Sequence, residues 1–341
     1  MKTRYNLFVV VTLLALILSA CGGGAPATQI ATDAPSAGGE NAVLKIGWLG
    51  EPDTLNPAYA FLTEAYSIFD LVYSPLVTED SSGEYVGALA KEWSTAEDGL
   101  TWTFTLKDGL KWHNGEALTA DQVAWAINAI MLDPDGWAAL SGYVGGFSEV
   151  TAPDEKTVQI VTEYPIANME YRLSFLYAVY PPDFESFTTP EDLQNFTNDK
   201  PIGTGRFKMN TFDKDTGVIV LDANKDYMDG APFIDQVIYQ KFDSSDAMIQ
   251  ALKVGDIDLL YEVPASAFET VKGFEGVTAL AFESRSFDEL IINSVSDDND
   301  PAPTGNPALK DPAVRLALET AINRQDIIDI VWQGLGSPAD T

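Results

Sequence analysis

Alternating apolar and polar positions predict several short strands after residue 42. β-Branched and apolar residues alternate at 43–49 and 101–106, and shorter runs of the same kind lie at 158–161 and 218–221. The alternation of 101–106 stops at Lys107-Asp108-Gly109 and resumes at 110–112, with Asn114-Gly115 beyond. Turn residues between alternating runs are typical of hairpins, so we expect exposed hairpins in this region.

Start and stop signals predict three helices among these strands. The start signals are Thr119 with Gln122 as a capping box, Ser244 or Ser245 as an N-cap, and Asp311 followed by Pro312. The first helix should end near Asp133-Pro134 and the second at Gly255. The expected buried faces are Val123, Ile127, Ile130 and Met131 in the first helix, and Val314, Leu318, Ala321 and Ile322 in the third. Strands and helices thus mix without strict alternation, which indicates an α/β chain.

The N-terminus has the parts of a secretory signal. Lys2 and Arg4 precede an apolar stretch over 7–18. As a helix this stretch would reach about 18 Å, short of the roughly 30 Å of a hydrocarbon core. We therefore expect residues 1–20 to be removed as a signal peptide.

Cys21 is the single cysteine of the chain, and its setting suggests lipid attachment. Leu-Ser-Ala-Cys at 18–21 resembles the bacterial lipobox, which implies cleavage before Cys21 and a lipid on its sulfur. The alternative is an ordinary cleaved signal with a chance cysteine. Residues 22–39 are mostly Gly, Ala, Pro, Thr and Ser, so 21–41 is predicted to be a flexible tether to an exported, membrane-anchored or periplasmic domain.

Charge and cysteine content exclude several classes of protein. The 51 acidic and 20 basic residues give a formal charge of −31, which would repel nucleic acid. A generally acidic surface mainly keeps a protein soluble, and the alternative is that it also favours cationic ligands. With one cysteine, there is neither a disulfide framework nor a thiolate metal site.

We find no motif for a cofactor, a metal or a catalytic set, and we expect none of the three. Asp213 with Asp215, and the Asp297–Asp300 run, lack the spacing of a calcium loop. His113 lies in a Trp-His-Asn-Gly turn without triad partners and is predicted to be a structural or a surface residue. Gly203-Thr204-Gly205 lacks the Lys-Ser/Thr of a phosphate-binding loop. A glycan-active enzyme with two carboxylates stays open as an alternative, because acidic pairs are abundant.

The order of several longer segments resembles the extracellular solute-binding proteins of family 5, the peptide-, oligopeptide- and nickel-binding components of ABC importers. The matching segments are EPDTLNP at 51–57, LVYSPLVTED at 71–80, ALAKEWSTAEDGLTWTFTLKDGLKWHNGEALTADQVAWAI at 88–127, PIGTGRFK at 201–208, NKDYMDGAPFIDQV at 224–237, ALKVGDIDL at 251–259 and DPAVRLALETAINRQDII at 311–328. They cover most of the chain after the tether.

Three departures from the family pattern stand out. Arg206-Phe207 replaces the usual Pro-Tyr after Gly-Thr-Gly, and Met228 replaces a usual Trp. These two put the local turn and the pocket wall in doubt. Family members also continue well beyond Thr341, so we expect this chain to be a fragment of a longer reading frame, with a truncated variant as the alternative.

The resemblance implies an α/β, two-lobed periplasmic-binding-protein-like fold of type II with an extra inserted subdomain and an incomplete second lobe. The implied domains are lobe one at 42–75 and 200–275, the inserted smaller subdomain at 76–199, and the start of the second lobe at 276–341.

The resemblance also implies a function without catalysis. The chain would be a monomeric substrate-binding lipoprotein that captures a small solute between two lobes and delivers it to an ABC permease and its ATPase. A peptide is the first candidate solute, and an oligosaccharide, a nickel chelate or an opine-like molecule are the others. A ligand-sensing lipoprotein of the same fold, or the secreted glycan-active enzyme, remain the alternative functions.

Candidate ligand-binding residues follow from the same resemblance. Glu51 and Asp53 match the family's ligand-facing first loop and offer carboxylates to a cationic group, or else form a surface turn. The remaining candidates are Trp137 and Tyr143, as aromatic contacts or core residues, and Arg285 and Ser286, as partners for a carboxylate.

Overall fold

The computed structural model of the protein describes residues 42–282, 288–294 and 305–339. The signal peptide, Cys21, the tether, Arg285 and Ser286 lie outside these ranges. The strands in the described ranges are β1 Val43–Trp48, β2 Val77–Glu79, β3 Tyr85–Gly87, β4 Ala90–Thr95, β5 Thr101–Leu106, β6 Phe147–Asp154, β7 Thr157–Thr162, β8 Phe207–Asp213, β9 Val218–Ala223, β10 Gln236–Lys241 and β11 Leu259–Leu260.

The α-helices of the same ranges are mostly short. They are α1 Thr63–Val72, α2 Ala120–Leu132, α3 Met169–Leu173, α4 Pro181–Phe184, α5 Pro190–Gln194, α6 Ser245–Val254, α7 Phe268–Lys272, α8 Pro312–Ala321 and α9 Arg324–Ile330. Within the described ranges, none of them is long and apolar enough to cross a membrane.

A five-stranded mixed sheet has the order β11-β1-β10-β9-β8. β1 runs parallel to β10 and β11, with Ile46 opposite Tyr239 and Leu259. β9 and β8 continue the sheet in antiparallel register. The carboxyl ends of β1, β10 and β11 therefore meet at one edge, which is where α/β sheets commonly bind ligands.

A second, four-stranded antiparallel sheet has the order β4-β5-β7-β6, and α2 packs against β6 and β7. In β5, Phe104 lies between Trp93 of β4 and Val158 of β7. The predicted hairpin with Asn114-Gly115 at its turn is present, closed by an antiparallel Lys111–Ala117 bridge, and the turn is exposed. Its first arm is not exposed as predicted, because Trp112 packs into the core and is 2% exposed.

The two sheets share one continuous hydrophobic core. Its largest fully buried side chains include Trp48 and Phe69 beside the first sheet and Phe104 and Trp112 beside the second. The Trp112 Nε1 donates a hydrogen bond to the Gln122 Oε1 over 2.9 Å, so this buried indole has its polar atom satisfied.

The helix starts agree with their predicted signals. The Gln122 Oε1 also accepts a hydrogen bond from the Thr119 N–H over 3.2 Å, which is the return bond of the capping box at the start of α2. At α8 the Asp311 Oδ1 accepts from the Ala313 N–H over 2.8 Å. The predicted face of α2 is buried, with Met131 only partly so.

The prediction that one face of α8 is buried is wrong for the described residues. Leu318 is 39% exposed, Ala321 is exposed, and Val314 and Ile322 are only half-buried. The packing of α8 in this part of the chain is mainly against the 3₁₀ turn Pro307–Lys310. A turn of this length covers too little of the helix to bury its apolar side.

The cap of α6 offers a test of local stability. The Ser244 Oγ accepts a hydrogen bond from the Ala247 N–H over 3.2 Å, and Gly255 ends the helix at φ 80°. We expect Ser244→Ala to lower the free energy of unfolding by about 1 kcal/mol, because one helix N–H loses its acceptor. Urea denaturation measures the change. Ser244→Asp keeps an acceptor and should be close to the wild type, so an equal loss in both variants would contradict a capping role.

Candidate functional site

The first loop after β1 carries Glu51 at the shared carboxyl edge of the parallel strands. Its Oε1 lies 3.1 Å from the Nζ of Lys241, the last residue of β10, and both side chains are about one-third to one-half exposed. An ion pair this exposed contributes at most about 1 kcal/mol. Glu51 is therefore accessible at this edge and paired within the protein.

Asp53 organises the segment between β1 and α1. Its Oδ2 accepts a hydrogen bond from the Phe61 N–H over 2.8 Å, and its Oδ1 accepts from the Thr54 N–H over 3.1 Å. The loop that Asp53 closes presents Phe61 and Leu62 at the surface, 64% and 47% exposed. The carboxylate itself is exposed, so it shapes the loop and remains open to solvent.

The two aromatic candidates occupy different environments. Trp137 is 3% exposed and its ring lies 5.4 Å from that of Phe184, so it belongs to the core of the described structure. Tyr143 is half-buried and stacks on Phe175 at 4.8 Å, beside the exposed Tyr171. Only Tyr143 of this pair reaches a surface that a ligand could touch.

Asp70 in α1 is a functional candidate that the sequence analysis missed. It is exposed, and its Oδ1 accepts a hydrogen bond from the Tyr177 hydroxyl over 2.9 Å. Desolvation by the surrounding protein raises the pKa of Asp70, and the bond from Tyr177 partly opposes this rise. The carboxylate is thus both reachable by solvent and closely flanked by protein.

Further tyrosines lie near Asp70 or are linked to it through a neighbour. Tyr66 precedes Asp70 by one helical turn and so lies on the same face of α1. Ser67, on that same face, donates a hydrogen bond to the Tyr261 hydroxyl over 2.9 Å. Burial is the main cause that raises the pKa of Tyr239, and the neighbouring Tyr261 and Asp70 add to the rise. We call this group the Asp70–tyrosine cluster: Asp70, Tyr66, Tyr143, Tyr177, Tyr239 and Tyr261.

Tyr143 joins the cluster through Tyr66. Burial is the main cause that raises the pKa of Tyr66, and the nearby Tyr143 and Asp53 add to the rise. The cluster therefore links the first loop, α1 and the aromatic surface around Tyr143. The spacing of Tyr66 and Asp70 can be read from the sequence. Nothing there distinguishes Asp70 from the rest of the 51 acidic residues, so the sequence did not indicate a site.

His113 anchors the chain segment behind α1. The Gly203 N–H donates to its Nδ1 over 3.2 Å, so the proton is on Nε2, which donates to the Gly205 carbonyl over 3.1 Å. Burial lowers the pKa of His113 to about 4, which keeps the ring neutral. His113 thus has the structural role predicted for it. Among the described residues, no cluster of three or more His, Cys, Asp or Glu could hold a metal ion.

Comparison with known proteins identifies the family. The model of "Bacterial extracellular solute-binding proteins, family 5 Middle" matches residues 84–341. The chain belongs to this family. The resemblance in the sequence motifs is confirmed, and so is the two-lobed, mixed α/β periplasmic-binding-protein fold.

Several known family 5 solute-binding proteins are similar to this chain. The oligopeptide-binding protein AppA of Bacillus subtilis is 28% identical over 99% of this chain and 60% of its own length. A putative ABC transporter peptide-binding protein of Brucella melitensis is 30% identical over 96% of this chain and 59% of its own length.

A solved structure agrees with these relatives. AppA from Bacillus subtilis in complex with a nonapeptide has a TM-score of 0.75 and 27% identity, covering 88% of this chain and 57% of that one. This chain therefore spans about 60% of the length of the relatives it matches. Proteins of this family are extracellular or periplasmic.

Proposed function

We propose that this chain is the solute-binding part of an ABC importer and that its solute is a peptide. The observation that carries the proposal is the family match over 84–341. It is supported by relatives named as peptide-binding or oligopeptide-binding proteins, one of them solved with a nonapeptide.

Capture of the solute would need no covalent chemistry. Two-lobed binding proteins close around a ligand, and the ligand shifts the equilibrium by its differential affinity for the closed state. On the described surface, Glu51, Asp53 and Tyr143 are the proposed contacts, with Arg285 and Ser286 as further candidates from the sequence. Trp137 is left out because it is buried in the core.

The partners and the anchor belong to the same proposal. A lipid on Cys21 would hold the protein at the outer face of the membrane, and the 21–41 tether would give the binding domain reach. Tethering raises the effective concentration of a receptor at its membrane partner, here a permease with its ATPase. Delivery by a monomer is the simplest arrangement for this role.

Thermal unfolding of the full-length protein tests the proposal. A peptide at 100 times its dissociation constant should stabilise the folded state by about 2.7 kcal/mol and raise the melting temperature by several degrees. Oligosaccharides and nickel chelates are screened alongside. A shift with oligosaccharides alone, or no shift with any peptide, would overturn the peptide assignment, and turnover of chromogenic glycosides would favour the enzyme alternative.

A further inference from the structure

Asp70 is an accessible carboxylate without a cationic partner in the part of the chain that the structure describes. Its Oδ1 is held by the Tyr177 hydroxyl, and its Oδ2 has no hydrogen-bond partner among those residues. No ion pair in the described ranges joins Asp70 to a lysine, arginine or histidine. One oxygen therefore fixes the orientation of the carboxylate and the other is free to accept a donor.

The tyrosines of the cluster combine aromatic rings with hydroxyl groups. Tyr66 and Tyr143 are half-buried and Tyr261 is 45% exposed, so these three rings retain surface open to solvent. Tyr177 and Tyr239 lie behind them, each 4% exposed. The face of an aromatic ring attracts a cation, and a carboxylate adds charge-assisted hydrogen bonds.

The loop after β1 carries negative charge, as Asp70 does. Glu51 and Asp53 lie in the loop after β1, and the Glu64 carboxylate of α1 packs directly against Gly50 of that loop. Lys241, at the same edge, already pairs with Glu51. Asp53 of this loop helps to raise the pKa of Tyr66, so the carboxylates of the loop and of Asp70 together favour a ligand that brings positive charge.

We propose that the Asp70–tyrosine cluster binds a cationic group of the solute, an ammonium or a guanidinium. Asp70 accepts its hydrogen bonds, and Tyr66, Tyr143 and Tyr261 offer it aromatic and hydroxyl contacts. This inference rests on the proposed peptide-binding function and specifies its substrate class as peptides that present positive charge to lobe one. The charge comes either from a lysine or arginine side chain or from the peptide's α-ammonium.

The energetics of the cluster fit this role. Protein around Asp70 makes its ionised form less favourable, because the carboxylate loses water and gains no cation from the described residues in return. A bound ammonium would supply that missing charge and its donors. Tyr177 is the positioning residue, since its hydroxyl sets the direction of the carboxylate without facing the ligand itself.

Isothermal titration calorimetry on the full-length protein with paired nonapeptides tests the proposal. The peptides differ at one position, lysine in one and norleucine in the other, and the position is moved along the peptide. A second series compares free and acetylated N-termini. We expect about tenfold tighter binding for the charged member of one pair, because a charge-assisted hydrogen bond and a cation–π contact are lost in the other.

The variant Asp70→Asn should reduce that preference to about one. An asparagine oxygen can still accept from Tyr177, so the fold is retained, and a thermal melt without peptide checks this. Tyr177→Phe should lower the preference about threefold by releasing the carboxylate. Asp226→Asn is the matched control, an exposed carboxylate in the loop between β9 and β10, at the other end of β10, and it should keep the full preference.

The outcomes separate this inference from the function on which it rests. Peptides that bind without any preference for charge, or a preference that Asp70→Asn leaves unchanged, would overturn the cation site alone. A failure of every peptide to bind would overturn the peptide function and the cation site together. The two series also identify the source of the charge, since acetylation removes only the α-ammonium.

Discussion

Replacing Gly203 with alanine should lower the free energy of unfolding by about 2–3 kcal/mol. A Cβ at this position would lie 1.9 Å from the Val72 carbonyl oxygen at the end of α1. That oxygen also accepts the Gly205 N–H over 2.8 Å, so the two backbones cannot separate without losing a hydrogen bond. Chemical denaturation with urea measures the change.

Gly142 is the matched control for this substitution. It lies in the 3₁₀ turn Ser141–Val144, and a Cβ there would meet nothing within 4 Å. Gly142→Ala should therefore change the stability by less than about 0.5 kcal/mol. Equal effects at the two glycines would show that close packing against α1 is not what requires Gly203.

Acidification should destabilise the protein through His113, by up to about 3 kcal/mol between pH 6.5 and pH 4. The unfolded chain protonates this histidine near pH 6.5, whereas burial holds its pKa in the folded protein at about 4. In this window the unfolded state binds more protons, so stability falls as the pH falls. Above pH 6.5 the ring is neutral in both states and the contribution is complete.

His113→Gln isolates this contribution. Glutamine cannot protonate, and its amide can still donate to the Gly205 carbonyl that Nε2 reaches over 3.1 Å. We expect the variant to be less stable than the wild type at pH 7 and the difference to shrink steadily toward pH 4. The free energies of unfolding of the two proteins are compared across this range. Parallel curves would mean that His113 does not set the acid sensitivity.

Both predictions concern the support of the proposed binding surface. His113 holds Gly203 and Gly205, and these glycines lie against Leu71 and Val72, next to Asp70. A shift of the glycine segment would move the last turn of α1 and with it the carboxylate of the Asp70–tyrosine cluster. We therefore expect Gly203→Ala to weaken peptide binding as well as folding.

Local signals in the sequence were sufficient where a structure depends on neighbours in the chain. Ser244 and Gly255 delimit α6, and Asp311 starts α8, because caps are formed by atoms within a few residues of one another. The family was likewise recognisable from collinear motifs, such as the segment at 88–127, without knowledge of the fold.

Pairings between distant segments could not be predicted in this way. β5 is an inner strand because β7 joins it from more than fifty residues along the chain, and Trp112 in the first arm of the expected hairpin packs into the core. The exposure of α8 and the burial of the Trp137 ring could not be predicted for the same reason. Periodicity indicates which residues are apolar, but not which distant segment covers them.

The candidate site shows the same division. The sequence alone determined the acidic first loop, with Glu51 and Asp53, as well as the family and the type of function that the family implies. Only the tertiary structure brought Tyr177 to Asp70 across 107 residues and Tyr261 to Ser67 on the same helix. The physical reason is that a carboxylate gains its chemistry from the groups that desolvate and orient it, and those groups come from other parts of the chain.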